Sequence, residues 1–301
     1  MTPALSILSF GLGLVLYGAA TVLFFLEIAP HRDGKGLKPG ESGAPRPGIA
    51  RAVGVGRDHP RSRAARLAPV LLGVGALSHA TYVTLASFVA HVCPIHSVHF
   101  ILSIASLLAI GVYLVARRRF RIDALGLLVA PLGLAFLLGT YFLGTPGPGP
   151  KLSPMFIALH VMANLLGVAL FLLAGGAAAL YLVQDKRLKQ KRPASRIANL
   201  PPLDTLDQAV HRFLVAGFPL LTLGIVTGTF WARQLEMGTP DEVMRIIFGY
   251  ATWLLIAGVL LLRAAAGWRG RRAAYGTLAG FACMTVVVVV YLVRPTVGLG
   301  G

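Results

Sequence analysis

Apolar residues run along this chain in long, nearly unbroken blocks, with the polar residues gathered in short clusters between them. Crossing about 30 Å of hydrocarbon takes roughly 20 apolar residues at about 1.5 Å rise each. Eight windows meet that length: 5–28, 67–90, 96–116, 122–143, 155–184, 206–232, 246–263 and 273–293. Each predicts a membrane-spanning helix, because lipid offers the backbone no hydrogen-bond partner and only bonds within the segment satisfy it. The last window is the sharpest case. Five consecutive valines, Val286 to Val290, would favour a strand in water, and in a bilayer they are expected to be helical. The pattern predicts an all-α, polytopic integral membrane protein, a bundle of about eight transmembrane helices forming a single domain over residues 1–301. The first window has no Lys or Arg ahead of it and no A-x-A site at its end, so it is expected to stay as a span and not to be removed as a signal peptide.

Composition agrees with the pattern, and charge adds an orientation. At 56% hydrophobic and 13% charged residues, 301 residues are too apolar for a soluble domain. Of 28 Lys and Arg, nine lie in 30–66, four in 117–121, seven in 186–212 and four in 263–272. Only Lys151, Arg233, Arg245 and Arg294 lie at the other ends of the spans. Under the positive-inside rule an asymmetry of 24 to 4 places both termini outside, together with the turns 91–95 and 144–154 and the polar segment 233–245. The net charge of +17 therefore follows from topology, and nucleic acid is not an expected partner. The basic segment 30–66, rich in Pro and Gly, has too little apolar surface to fold alone and reads as a disordered cytoplasmic loop that touches lipid headgroups.

Candidate chemistry rests on histidine. The two cysteines, Cys93 and Cys283, form no C-x-x-C, which removes dithiol and zinc chemistry and leaves them as small hydrophobes. His31 and His59 lie in the basic segment. His79 falls in the middle of the second window, where a charged group costs about 2.5–3.5 kcal/mol or more, so it is expected to be neutral. A neutral imidazole either joins two helices by a hydrogen bond or gives its lone pair to a metal. His91, His96 and His99 cluster at an outer turn. His160 opens the fifth window at its outer end with Asn164 one turn below. His211 opens the sixth at its inner end, after a capping box expected at Thr205 and Gln208. In that sixth window Gly224 and Gly228 form G-x-x-x-G, a helix-packing signal. Trp231 closes the window as an interfacial anchor or as a flat wall for a planar ligand.

The run LDTLDQAVHRFLVAGFPLLTLGIVTGTFWA, the following ATWLL and then GWRGRRAAYGTLAGF resemble the C-terminal half of the cytochrome c assembly proteins of the CcsA/ResC type and their HemX-like relatives. The earlier CPIHSVHFILSIASLLAIGVYLVARRRFRIDALGLLVAPLGL is similar to the same family's outer turn, span, basic inner turn and Pro-containing span. The resemblance implies haem handling at the outer membrane face. There two histidines hold haem beneath a tryptophan-rich loop while it is attached to an apocytochrome c with a partner subunit's help. By position, His160 matches the first external ligand and His79 the family's intramembrane histidine. Trp231 matches the tryptophan that begins the loop, and Trp253 the one in the next span. The site residues the resemblance implies are thus His160, His79, Trp231 and Trp253, with His160 and His79 facing the haem iron.

The chain also departs from that pattern. Segment 233–245 keeps the place of the tryptophan-rich loop without a tryptophan. Leu261 stands where the second intramembrane histidine belongs, and nothing after the last window supplies the second external one. Such erosion is closest to the HemX-like branch. The expected function is therefore an accessory of cytochrome c maturation that binds or delivers haem b transiently, not an active haem lyase, in a bacterial plasma membrane. Its expected partners are haem, a second synthetase subunit and apocytochrome c. Two alternatives are a scaffold that holds such a subunit or a haem-biosynthesis enzyme without binding haem, and a small-molecule transporter. The lack of inverted halves and of broken, charge-paired helices speaks against the transporter.

Overall fold

A computed structural model of the chain describes residues 2–28, 63–90, 97–120, 122–144, 154–190, 200–234 and 240–293. All eight expected spans are helices: α1 (Thr2–Ile28), α2 (Arg63–Ala90), α3 (Val98–Arg119), α4 (Gly126–Leu143), α5 (Pro154–Lys189), α6 (Leu203–Gln234), α7 (Pro240–Ala266) and α8 (Arg271–Val293). A 3-10 turn, Asp123–Leu125, leads into α4. Each of the eight is long and apolar enough to cross a membrane. The valine run continues α8 as a helix, so the bilayer rule and not strand propensity decides its state.

The helices pack as two groups of four. In the first, α1 lies on α2 and α4, and α3 also lies on both. In the second, α5 lies on α6 and α8, and α7 also lies on both. Contact between α3 and α5 joins the groups. Lipid tails are as apolar as leucine, so close packing has to hold such helices together, and small side chains allow it. Buried alanines supply them: Ala105 and Ala109 on α3, Ala174, Ala177 and Ala178 on α5. Larger side chains fill the first group, with Tyr17, Phe24, Ile110, Tyr113 and Leu137 fully buried. Leu8, Val15, Leu77, Phe142, Leu254 and Val293 point outward. In water they would form an aggregating surface; here they are the lipid-facing one.

Helix ends differ from the expected windows in three instructive places. α5 has 36 residues, about 54 Å of rise, so its last turns with Lys186, Arg187 and Lys189 stand beyond the hydrocarbon. The polar segment 233–245 is helical at both ends: α6 runs through Gln234 and α7 starts at Pro240, and 235–239 lie outside the described residues. Proline is well suited to a first helical turn, where its missing N–H would have no partner anyway. The capping box expected at Thr205 and Gln208 is corrected by the structure. α6 begins three residues before the expected start at 206, with the Leu206 amide donating to the Pro202 carbonyl at 3.2 Å, and Gln208 Nε2 donates to Asp204 Oδ2 at 2.7 Å. The preceding prolines start the helix, which puts Thr205 inside it. Most of the basic segment 30–66 lies outside the described residues; its last four residues open α2.

Candidate functional site

At the end of the bundle away from the basic cluster, His160 sits near the start of α5 and faces α6. Its partners lie one turn apart on both helices. His160 and Asn164 are neighbours on α5, and Gly224 and Gly228 are neighbours on α6. A Cβ at Gly228 would come within 3.1 Å of His160 Cε1, and one at Gly224 would collide with the Asn164 amide. The G-x-x-x-G motif is therefore a slot for these two polar side chains and not merely a packing stripe.

Between the two glycines, Thr227 fixes the imidazole. Its Oγ1 donates to the Leu223 carbonyl at 2.7 Å, which uses its only proton. A 2.7 Å bond joins Thr227 Oγ1 to His160 Nδ1 and holds the ring edge against α6. Asn164 Nδ2 donates to the His160 carbonyl at 2.8 Å. It lies 3.4 Å from Nδ1 and 3.3 Å from Nε2, whereas a donor along either lone pair would be much nearer one nitrogen than the other. Phe156 and Phe230 meet at the same level, ring centroids 5.7 Å apart. A half-buried imidazole held by Thr227 one turn from the Phe156–Phe230 pair can ligate a soft or borderline metal centre.

His79 lies in a different setting. It is fully buried among α1, α3 and α4. Thr140 Oγ1 reaches the Phe136 carbonyl at 2.9 Å and the His99 carbonyl at 3.1 Å, and meets Ser103 Oγ at 2.6 Å. Ser103 Oγ also reaches the Phe136 carbonyl at 3.2 Å and bonds His79 Nε2 at 2.8 Å, and the Tyr17 hydroxyl bonds His79 Nδ1 at 3.2 Å. The network links α1, α2, α3 and α4, and each bond polarises the next. Both nitrogens of His79 are engaged, so iron ligation there would require Tyr17 or Ser103 to let one go.

The two tryptophans divide. Trp231 falls in the last turns of α6, and its side chain lies outside the described residues. Trp253, half-buried on α7, donates from Nε1 to Thr222 Oγ1 at 3.0 Å and stacks on Phe218 with centroids 5.7 Å apart. Thr222 and Thr227 are five residues apart, so at 3.6 residues per turn they lie on well-separated faces of α6. Trp253 pins α7 to one face of α6 while His160 occupies another. Nearer the mouth, Thr229 Oγ1 and the Tyr250 hydroxyl add a second α6–α7 bond at 2.7 Å. Leu261, at the place of the family's second intramembrane histidine, is 67% exposed on the lipid side of α7. Of the outer-turn histidines, His91 and His96 lie outside the described residues; His99 offers its carbonyl to Thr140.

Sequence reasoning missed the polar clamp at the basic end. Arg263 on α7 makes a two-pronged pair with Asp207 on α6, Nη1 to Oδ1 at 3.0 Å and Nη2 to Oδ2 at 2.7 Å, both side chains only 11% exposed. The Gly270 amide donates to the same Oδ1 at 2.9 Å. Gly267 and Gly270 both have φ of 66°, the left-handed region that favours glycine, and this lets the chain reverse between α7 and α8. The Trp268 amide closes the end of α7 on the Leu262 carbonyl at 3.2 Å, as in a Schellman cap. One carboxylate thus ties α6, α7 and the turn into α8. The signal was available: Asp207 is one of only 11 acidic residues and lies within a span, where a charge demands a partner. His211 follows one turn later, its Nδ1 buried and without a hydrogen-bond partner among the described residues.

Comparison with known proteins agrees with the motifs. The cytochrome c biogenesis protein CcsA of Guillardia theta is 31% identical over 203 residues, 58% of this chain and 64% of that protein. The protein of the same name from Picosynechococcus sp. is 36% identical over 132 residues, 42% of this chain and 37% of that one. The one from Heterosigma akashiwo is 29% identical over 250 residues, 69% and 75% of the two chains. The match thus spans less than two thirds of the first two relatives. No solved structure shows a significant match. The sequence profile described as Cytochrome C assembly protein matches residues 69–297, from the first turns of α2 past the end of α8, and the chain belongs to that family.

Proposed function

We propose that this protein binds haem at the end of the bundle that carries His160, giving the His160 Nε2 lone pair to the iron, as an accessory of cytochrome c assembly. The observation that carries the reading is the Thr227 bond, which holds the His160 ring in place at the end of the bundle that also carries Phe156 and Phe230. The residues at this end fit the group. The imidazole is neutral and oriented, and Phe156 and Phe230 offer an apolar wall to a porphyrin. Trp253 serves the site indirectly by steadying α6 through Thr222, and Trp231 lies one turn beyond Thr227 toward the mouth. Haem b is the cargo, and a second synthetase subunit and apocytochrome c are the partners. This matches relatives named for cytochrome c biogenesis. The basic end faces the cytoplasm of a bacterial plasma membrane and both termini lie outside, in keeping with the segregated charge. Full synthetase activity is not proposed, because attachment needs fixed geometry on both sides of the haem and 233–245 holds no tryptophan.

One observation favours the scaffold alternative. The intramembrane position is closed, with both His79 nitrogens bonded and Leu261 turned to lipid. Absorption spectra of the chain, purified in mild detergent from haem-replete cells, separate the two readings. A Soret band that His160→Ala abolishes supports the outer site. A colourless parent, even after haem is added, leaves the scaffold.

A further inference from the structure

At the basic end, α5 and α8 diverge around an open groove of about 530 Å³, well inside the range of roughly 300–1,000 Å³ typical of ligand sites. Its lining changes character along its length. Leu182 and Val183 on α5 and the ring of Tyr275 on α8 form the deeper part, while Lys186, Lys189, Gln190 and Arg271 form the mouth. Asp185 stands between these cations. It pairs with Lys189 at 3.2 Å and with Arg271 at 3.3 Å, and so holds the two side by side. Three cations against one carboxylate leave the mouth positive. Arg271 also lies over the Tyr275 ring, 6.0 Å from its centroid, which links the charged mouth to the apolar part.

We infer that this groove is a binding site for an anionic phospholipid, with the phosphate held by Lys186, Lys189 and Arg271 and the glycerol and first acyl carbons lying along Leu182, Val183 and Tyr275. Position supports this occupant over a soluble one. Lys186 lies about 39 Å along α5 from His160, near the roughly 40–45 Å that separates the two headgroup layers. The cations therefore stand at headgroup height when His160 stands near the other face. Arg271 opens α8 where its apolar run begins, and an exposed tyrosine one turn inside is the usual residue of that boundary. A free phosphate would use only the mouth; a lipid uses both parts. The site is independent of haem, and it ties α5 to α8 next to the Asp207–Arg263 clamp.

The test is a titration of the full chain in mild detergent with phosphatidylglycerol, phosphatidylcholine or inorganic phosphate, reading bound lipid by native mass spectrometry and the thermal midpoint in parallel. Phosphatidylglycerol should bind and raise the midpoint, while phosphatidylcholine and inorganic phosphate should not. Each cation near an anionic surface contributes about 1 kcal/mol, roughly fivefold in affinity. Lys186→Gln should therefore weaken phosphatidylglycerol about fivefold, and Lys186→Gln with Arg271→Gln about 25-fold. The single variant leaves the Asp185 pairs intact and guards against a mere loss of fold. Equal binding of phosphatidylcholine, an equal effect of inorganic phosphate, or unchanged affinity in both variants would overturn the proposal.

Discussion

His79 and His160 are the same residue in the same bilayer, and their surroundings hold them differently. In the first group of helices, His79 is fully buried and bonded at both nitrogens, to Tyr17 and to Ser103. In the second, His160 is half-buried near the start of α5, where Nδ1 meets Thr227 and the Asn164 amide lies beside the ring. The difference lies in depth: α1 and α3 close on His79 from two sides, while His160 stands near the start of α5 against α6. Intramembrane histidine is thus not one signal. Where the ring is sealed between helices it joins them, and where it stands near the end of the bundle it can serve a ligand.

Substitutions can break this contrast. The largest effect is expected at His79. His79→Ala leaves the Tyr17 and Ser103 hydroxyls without their bonds and opens a void, a loss of about 2–4 kcal/mol. It should lower the thermal midpoint in detergent by several degrees and leave haem affinity nearly unchanged. Next comes Thr227→Val, which keeps the shape but removes the oxygen that orients His160. Losing such a support typically costs about 10–100-fold in metal affinity, so haem titration should show a drop of that order with little change in the midpoint. Smaller still is Gly224→Ala, whose methyl must displace the Asn164 amide from its slot. A loss of about 1 kcal/mol is expected, read as a modest fall in the midpoint. Trp253→Phe gives up the bond to Thr222 but keeps the stack on Phe218, at about 0.6 kcal/mol for an average interhelical hydrogen bond. If it abolished haem binding outright, Trp253 would have to touch the ligand, which its place across α6 from His160 does not allow.

Much of this was legible in the chain itself, and what was not follows from range. Eight apolar windows, the helical valine run and the family likeness rest on local pattern; the first two hold in the structure and the third in the comparison with known proteins. Helix ends were less legible, because an apolar window stops where the membrane does while a helix need not. Pro240-Asp241-Glu242 is a helix start written in the sequence, and it was hidden by its polarity. The site itself was half legible. His160 and the G-x-x-x-G could each be seen, but that one fills the other depends on α5 meeting α6, with 67 residues between His160 and Thr227. The partners of His79 lie 62 residues before it and 24 after it, and the Asp207–Arg263 pair spans 56. No periodicity reports such pairs; only the rule that a buried polar group needs a partner says they must exist.

The central claim is that Nε2 of His160, and not His79, meets the iron. It is tested most directly by replacing each imidazole with glycine and returning free imidazole to the solution. His160→Gly should lose the Soret band and regain it as imidazole is titrated in, because the small base occupies the emptied place against Thr227. His79→Gly should keep its band throughout. A His160→Gly protein that binds haem as well as the parent, with or without imidazole, would contradict the assignment.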